Sequence, residues 1–255
     1  MDVAYWNAVA ARYDDEVFNS AAADRTGVLR RRLDELAHPG RVACDFGCGV
    51  GHYVPLLAPR FKRVVAIDFA AGLLEKARER YADLDNVEFL QADLARGRKQ
   101  LPRAHVGLCT NVLIHPDAGI RRAILRRIHR QLVRGGRLVA LVPSTESVLH
   151  AGMQLAAWCQ RDGVGESEAV RTGLGATARS APDLMRGVLL AGGERTKCYL
   201  REEAEVVFRD AGFRMLSSDK LEFPWTEEFE TPPPWMGPPY PWDWLFVLEK
   251  QQAGR

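Results

Sequence analysis

The chain has 255 residues, is 47% hydrophobic and 27% charged, and carries 35 basic against 33 acidic residues for a net charge of +2. This is the balance of a globular protein large enough to bury a core without a metal or disulfide staple, and it excludes a global attraction to nucleic acid or anionic membrane. The five cysteines, at 44, 48, 109, 159 and 198, read as small apolar residues in a reducing compartment. The start, Met1-Asp2-Val3-Ala4-Tyr5-Trp6, has no basic or apolar leader pattern, and no apolar stretch is long enough to cross a bilayer. A soluble, cytoplasmic protein is the expectation.

In chain order, two helices are expected first, over Ala4–Glu16 and Arg25–Ala37. From Arg41 the pattern alternates. Apolar runs suited to buried parallel strands lie at Val42–Phe46, Val64–Asp68, Val87–Asp93, Val106–Asn111 and Leu138–Pro143. Helical spacing fills Gly51–Leu57, Ala71–Tyr81 and Asp117–Val133 between them. That alternation predicts a doubly wound α/β sheet. Residues 145–200 show no strand pattern and read as helices with glycine breaks. A helix over Arg201–Ala211, capped by Gly212, then precedes an extended run Phe213–Phe223, a loop rich in proline and tryptophan, and a strand at Trp244–Leu248. These last two strands should pair antiparallel at one sheet edge. We expect one domain over 1–255, comprising N-terminal helices (1–40), a core (41–144), a helical cover (145–200), and a last helix with the hairpin (201–255).

The most informative stretch is Val42-Ala43-Cys44-Asp45-Phe46-Gly47-Cys48-Gly49-Val50-Gly51, a strand running into a glycine turn that opens a helix. Glycine permits close approach of backbone to a ligand. In a doubly wound sheet this first turn lies at the cofactor crevice. Asp68 closes the second strand, where a carboxylate can accept from a ribose diol, and Asp93 closes the third, where one can accept from an adenine amine. Taken singly, either acid could instead cap the next helix. A nicotinamide site would need Gly-x-Gly-x-x-Gly, but His52 stands at the third glycine position.

This constellation resembles the class I S-adenosylmethionine-dependent methyltransferases, over nearly the whole chain and least in residues 145–200. The resemblance implies a Rossmann-like, mostly parallel sheet with a C-terminal antiparallel hairpin, and S-adenosyl-L-methionine as cofactor. It would place Asp45 near the methionine amino group, with Gly47, Cys48, Gly49 and Gly51 beside the methionine moiety. Asp68 would bind the ribose, with Phe69 beside the adenine. Asp93 and the Leu94 amide would read the adenine, and Thr110 and Asn111 would line the sulfonium side. Tyr13 would reach the methionine carboxylate. One departure is His105, where the family has a structural aspartate.

Other features have two readings each. Cys44, Cys48 and His52 have a spacing that invites a metal, against divergence of a strand and a loop. Arg121, Arg122, Arg126, Arg127 and Arg130 form either a solvated helix face or a phosphate contact. His115 is the candidate catalytic base, against a packing role. Trp225, Trp235, Trp242 and Trp244 either wall an apolar pocket or close the sheet edge. Trp158, Met153 and Tyr199 are expected to shape the acceptor site from the cover. The function implied is transfer of a methyl group to nitrogen or oxygen of a small-molecule acceptor. The alternatives are methylation of nucleic acid or protein, for which the arginine helix is the only support, and a cofactor-binding module without catalysis.

Overall fold

The computed structural model describes Trp6, Tyr13 and residues 19–97, 99–191 and 193–251. The helix expected over Ala4–Glu16 lies outside these residues, except for Trp6 and Tyr13, which are both helical. A short helix α1 (Ser20–Ala23) and α2 (Val28–Leu36) lead into β1 (His38–Phe46). Then follow α3 (Val54–Leu57), β2 (Phe61–Asp68), α4 (Ala71–Arg80), β3 (Val87–Gln91), β4 (Ala104–Thr110), α5 (Ala118–Gln131) and β5 (Leu132–Pro143).

Four pairings, β1 with β2, β1 with β4, β2 with β3 and β4 with β5, are parallel. The sheet order is β3-β2-β1-β4-β5, so the chain winds one way from β1 and then the other. The crevice between the carboxyl ends of β1 and β4 is therefore the switch point where α/β sheets bind ligands. Alternate residues of β1 serve different cores, as period-two side chains must. Ala43 packs with Val28, Leu29 and Leu33 of α2, whereas Cys44 and Phe46 pack with Ile124 and Ile128 of α5.

After β5 come α6 (Thr145–Arg161), α7 (Glu166–Thr177), α8 (Ala181–Met185), β6 (Val188–Ala191) and β7 (Glu194–Lys197). The last two form an antiparallel ribbon, which corrects the expectation of a strand-free segment. A Gly-Gly pair between two short runs of strand formers is a hairpin signal, and Gly193 has φ 78°. Read as a break between helices, that pair hid the ribbon.

The chain ends with α9 (Arg201–Asp210), β8 (Phe213–Glu222) and β9 (Trp242–Lys250). β9 inserts between β5 and β8 and is antiparallel to both. The expected hairpin is present, longer at its second strand than the sequence suggested. The tryptophan-rich tail closes this edge against α6. Trp225 stacks on Phe229 beside Trp158, the Trp244 indole donates to Glu146 at 3.0 Å, and the Trp242 amide donates to the Ser147 hydroxyl at 2.8 Å.

Candidate cofactor site

β1 delivers its carboxyl end into the turn 47–51, where Gly47, Gly49 and Gly51 have φ of 82°, 55° and 85°. Such left-handed backbone strains any side chain but glycine. The space is closed as well. A Cβ on Gly47 would lie 2.3 Å from Cγ2 of Val112, and one on Gly49 would lie 2.4 Å from the Tyr13 hydroxyl. Tyr13 thus sits against the turn, its ring edge-on to His52 at 5.5 Å.

β2 holds the turn. Gly47 and Cys48 donate their amides to the Ile67 carbonyl at 2.7 and 3.0 Å. The Gly49 amide donates to Oδ2 of Asp68 at 3.0 Å, and the Ala70 amide donates to Oδ1 at 2.9 Å. Burial raises the Asp68 carboxyl above its usual range, and these amides oppose the rise.

Asp45 is fully buried at the foot of the turn, and neither of its carboxylate oxygens has a hydrogen-bond partner. Burial, with the Asp68 carboxylate adding to it, pushes its pKa up to about 8. The amide oxygen of Asn111 is likewise buried and unpartnered, while its Nδ2 donates to the Ser20 hydroxyl at 3.3 Å. Asn111 holds a positive φ of 54°. The Asp45 and Asn111 oxygens are both buried polar groups left open at the ends of adjacent strands, β1 and β4, and each calls for a partner.

A cavity of about 630 Å³ opens over these strand ends, well within the size range of small-molecule sites. Its wall includes Tyr13, Gly47, Cys48, Asp68, Phe69, Asp93, Leu94, Thr110, Asn111 and His115. Asp45, Gly49 and Gly51 stand behind that wall. The cavity also takes in Trp6, Tyr53, Arg96, Ile120 and Ile124, to which the sequence assigned no site role, and His52, weighed there only as a metal ligand. Tyr53 is buried, and its hydroxyl is hydrogen-bonded to Ser20 and Thr110. An aromatic residue two positions after the last glycine was the available signal for it.

Asp93 lies two residues past the end of β3. Its Oδ1 accepts the amides of Ala95 and Arg96 at 2.7 and 3.0 Å, so this acid both shapes its own turn and faces the cavity. None of Trp225, Trp235, Trp242 and Trp244 is on the cavity wall, and neither is any residue of 145–200. Met153, expected to shape the site, is 68% exposed, and Trp158 packs edge-on against Phe229.

The loop after β4 brings His115 to the cavity. Its Nδ1 accepts the Asp117 amide at 3.0 Å, which leaves Nε2 to carry the proton of the neutral ring. Burial lowers the His115 pKa and favours that neutral ring. The arrangement leaves a donor rather than a lone pair on the other ring nitrogen, and this weakens the reading of His115 as a base. Asp117 caps α5 by accepting the Gly119 and Ile120 amides. Arg121 donates to the carbonyls of His115 and Pro116, and Arg127 to that of Lys99. Two of the five arginines are thereby engaged within the chain.

His105 accepts the Val42 amide at 3.2 Å, an acceptor role across β1 and β4 that an aspartate could also fill. Cys44 and Cys48 belong to different core clusters, and His52 faces the cavity. Among the described residues no three His, Cys, Asp or Glu side chains gather where they could hold a metal.

Residues 43–136 match the model of a family described as a methyltransferase domain. Over those residues the chain is similar to methyltransferase domains. It is 34% identical over 175 residues to trans-aconitate 2-methyltransferase of Paracidovorax citrulli, covering 66% of this chain and 62% of that one. It is 31% identical over 147 residues to the malonyl-[acyl-carrier protein] O-methyltransferase of Serratia marcescens, covering 57% and 54%. The chain thus spans somewhat over half the length of these relatives. In fold, it superposes on the DhpI-SAM-HEP complex with a TM-score of 0.62 at 19% identity, covering 97% of this chain and 95% of that one. The doubly wound, mostly parallel sheet with its C-terminal antiparallel hairpin is therefore the class I fold.

Proposed function

We propose that this methyltransferase domain binds S-adenosyl-L-methionine and transfers its methyl group to nitrogen or oxygen of a small-molecule acceptor. The observation that carries this reading is the Asp45 carboxyl, fully buried with both oxygens unpartnered beneath the glycine turn. Burial keeps that carboxyl protonated up to about pH 8. An ammonium bound above the turn would favour its ionised form and give it a partner.

The residues present fit the cofactor. Asp45 and the Asn111 amide oxygen would face its amino group, and Tyr13 its carboxylate. Gly47 and Cys48 on the wall would provide the close backbone surface, with Gly49 and Gly51 shaping the turn behind them. Asp68 has two amides on its two oxygens, but a carboxylate offers about four lone-pair sites, enough for a ribose diol as well. Asp93 with the Leu94 amide, and Phe69 beside them, would take the adenine. Thr110 would line the sulfonium side.

The cofactor supplies an already activated methyl group, so the protein contributes alignment and exclusion of water. Tyr53, Thr110 and Ser20 form a hydrogen-bonded group that fixes the floor beside Asn111. The neutral His115 ring offers Nε2–H to an acceptor oxygen. A small acceptor is supported by the relatives named above and by the arginines of α5, since Arg121 and Arg127 already serve carbonyls of the chain. Among the described residues no helix is long and apolar enough to cross a membrane.

Calorimetry on the full chain tests the proposal with S-adenosylmethionine, S-adenosylhomocysteine and NAD. Binding of the first two without NAD is expected. Binding of NAD with no response to S-adenosylhomocysteine would overturn the assignment. Turnover across a panel of amines, phenols and carboxylates separates an enzyme from a module that only binds.

A further inference from the structure

The loop from Val112 to Pro116 forms the cavity wall through Val112, Ile114 and His115, yet it contains no regular secondary structure to hold it. Four successive carbonyls of the loop are held by groups outside it. The Leu113 carbonyl accepts the Tyr199 hydroxyl at 2.7 Å, and the Ile114 carbonyl accepts the Lys197 amide at 2.8 Å. The carbonyls of His115 and Pro116 share Arg121. Four consecutive carbonyls are thus fixed from outside, two of them by Lys197 at the end of β7 and Tyr199 just beyond it.

Tyr199 is itself firmly placed. It is 2% exposed, donates its amide to Pro143 at the end of β5 at 2.9 Å, and accepts the Thr145 amide at 3.0 Å. The neighbouring Lys197 ammonium, 1% exposed, is held by both oxygens of Glu203 at 2.6 and 2.7 Å and by the Arg186 carbonyl at 3.0 Å. The segment that holds the loop is thereby rigid where it touches it. Val112 in turn lies where a Cβ on Gly47 would have to be, so a shift of the loop moves the wall against the glycine turn.

We propose that Tyr199 is a positioning residue: its hydroxyl on the Leu113 carbonyl, with Arg121 on the next two, sets the loop that carries Val112 and His115 into the cofactor cavity. The segment 145–200 then acts on the site through this loop rather than as part of its wall. The inference rests on the proposed cofactor reading for its ligand, but not for its geometry.

The test follows two signals in the full chain: affinity for S-adenosylhomocysteine by calorimetry, and the ring C–H resonances of His115 by NMR, assigned with His115→Asn. Tyr199→Phe keeps the ring and removes one hydrogen bond. Loss of a bond of ordinary net strength corresponds to about a 3- to 10-fold weaker affinity. We expect that change together with a displaced His115 resonance. Phe61→Leu, a change at the start of β2 in the other large core cluster, is the control for lost stability and should leave affinity within about twofold and the resonance in place. Unchanged affinity and an unmoved His115 resonance in Tyr199→Phe would overturn the proposal, as would equal effects from Phe61→Leu. If Tyr199→Phe fails to fold, Arg121→Lys is read on the same two signals. A parent protein that does not bind S-adenosylhomocysteine defeats the cofactor reading instead, and the His115 resonance still decides the positioning role.

Discussion

The Gly49 amide donates to Oδ2 of Asp68 at 3.0 Å, so the acid at the end of β2 holds the glycine turn at the end of β1. Its other oxygen holds the amide of Ala70, the residue that opens α4. A residue read from the sequence as a ribose ligand is therefore also a brace between two strand ends. The two functions are compatible, but they cannot be removed separately by deleting the side chain.

Asp68→Ala should accordingly lower both ligand-free stability and cofactor affinity. Each buried amide left without its acceptor costs about 1–3 kcal/mol. Asp68→Asn should fare little better, because its amide nitrogen would meet one of the two N–H donors it replaces an acceptor for. Thermal melting without ligand, paired with S-adenosylhomocysteine titration, checks this. A variant of unchanged melting temperature but weakened binding would show that the brace contributes nothing.

Gly47→Ala tests the turn from the other side. The substitution places a Cβ on backbone with φ 82° and 2.3 Å from Cγ2 of Val112. Left-handed strain of about 1–2 kcal/mol adds to the displaced Val112. Reduced stability and a weaker affinity for S-adenosylhomocysteine are expected together. Retention of both would mean that the turn can relax outward.

Asp45 makes a prediction about pH. Its folded pKa is raised to about 8, against an ordinary carboxyl near 4 in the unfolded chain. Between those values the folded state holds a proton that the unfolded state lacks, so stability falls as pH rises from about 4 to about 8. Asp45→Asn should remove part of that slope, worth at least about 1 kcal/mol between pH 5 and 8. Binding of an ammonium ligand should instead favour the ionised carboxyl, releasing a proton near pH 7. Calorimetry in buffers of different ionisation enthalpy reads this directly. No proton release in the parent protein, or equal release in Asp45→Asn, would remove Asp45 from the site.

The sequence carried the sheet and the acids because both depend on local pattern. Apolar runs of strand length carried Asp45, Asp68 and Asp93 at or next to their ends, and those ends lie along one carboxyl edge of the sheet. It carried less well whatever depends on pairs distant in the chain. Tyr199 reaches Leu113, and Arg121 reaches back to His115 and Pro116, with no periodicity to announce either contact. The β6–β7 ribbon escaped notice because its strands are only four residues long and its glycine pair also suits a helix break. Tyr53 was passed over because its burial depends on Ser20 and Thr110, which the fold brings to it from either side in sequence.

His115 is held as a donor rather than a base. A base must offer a lone pair toward the acceptor, and the Asp117 amide occupies the Nδ1 lone pair at 3.0 Å. In the neutral ring the proton then sits on Nε2, where it can be donated but no further proton can be taken without breaking the Asp117 bond. The lowered pKa, caused first by burial, keeps the ring neutral at pH 7. His115→Asn retains a donor of similar reach, so turnover should stay within about tenfold of the parent, below the 10²–10⁴-fold typical of a lost general base. His115→Phe, which has no donor, should lose more, chiefly through acceptor KM. The pH–rate profile of His115→Asn should keep the limbs of the parent. Loss of an acidic limb together with a fall of about 10² or more would restore His115 as the base.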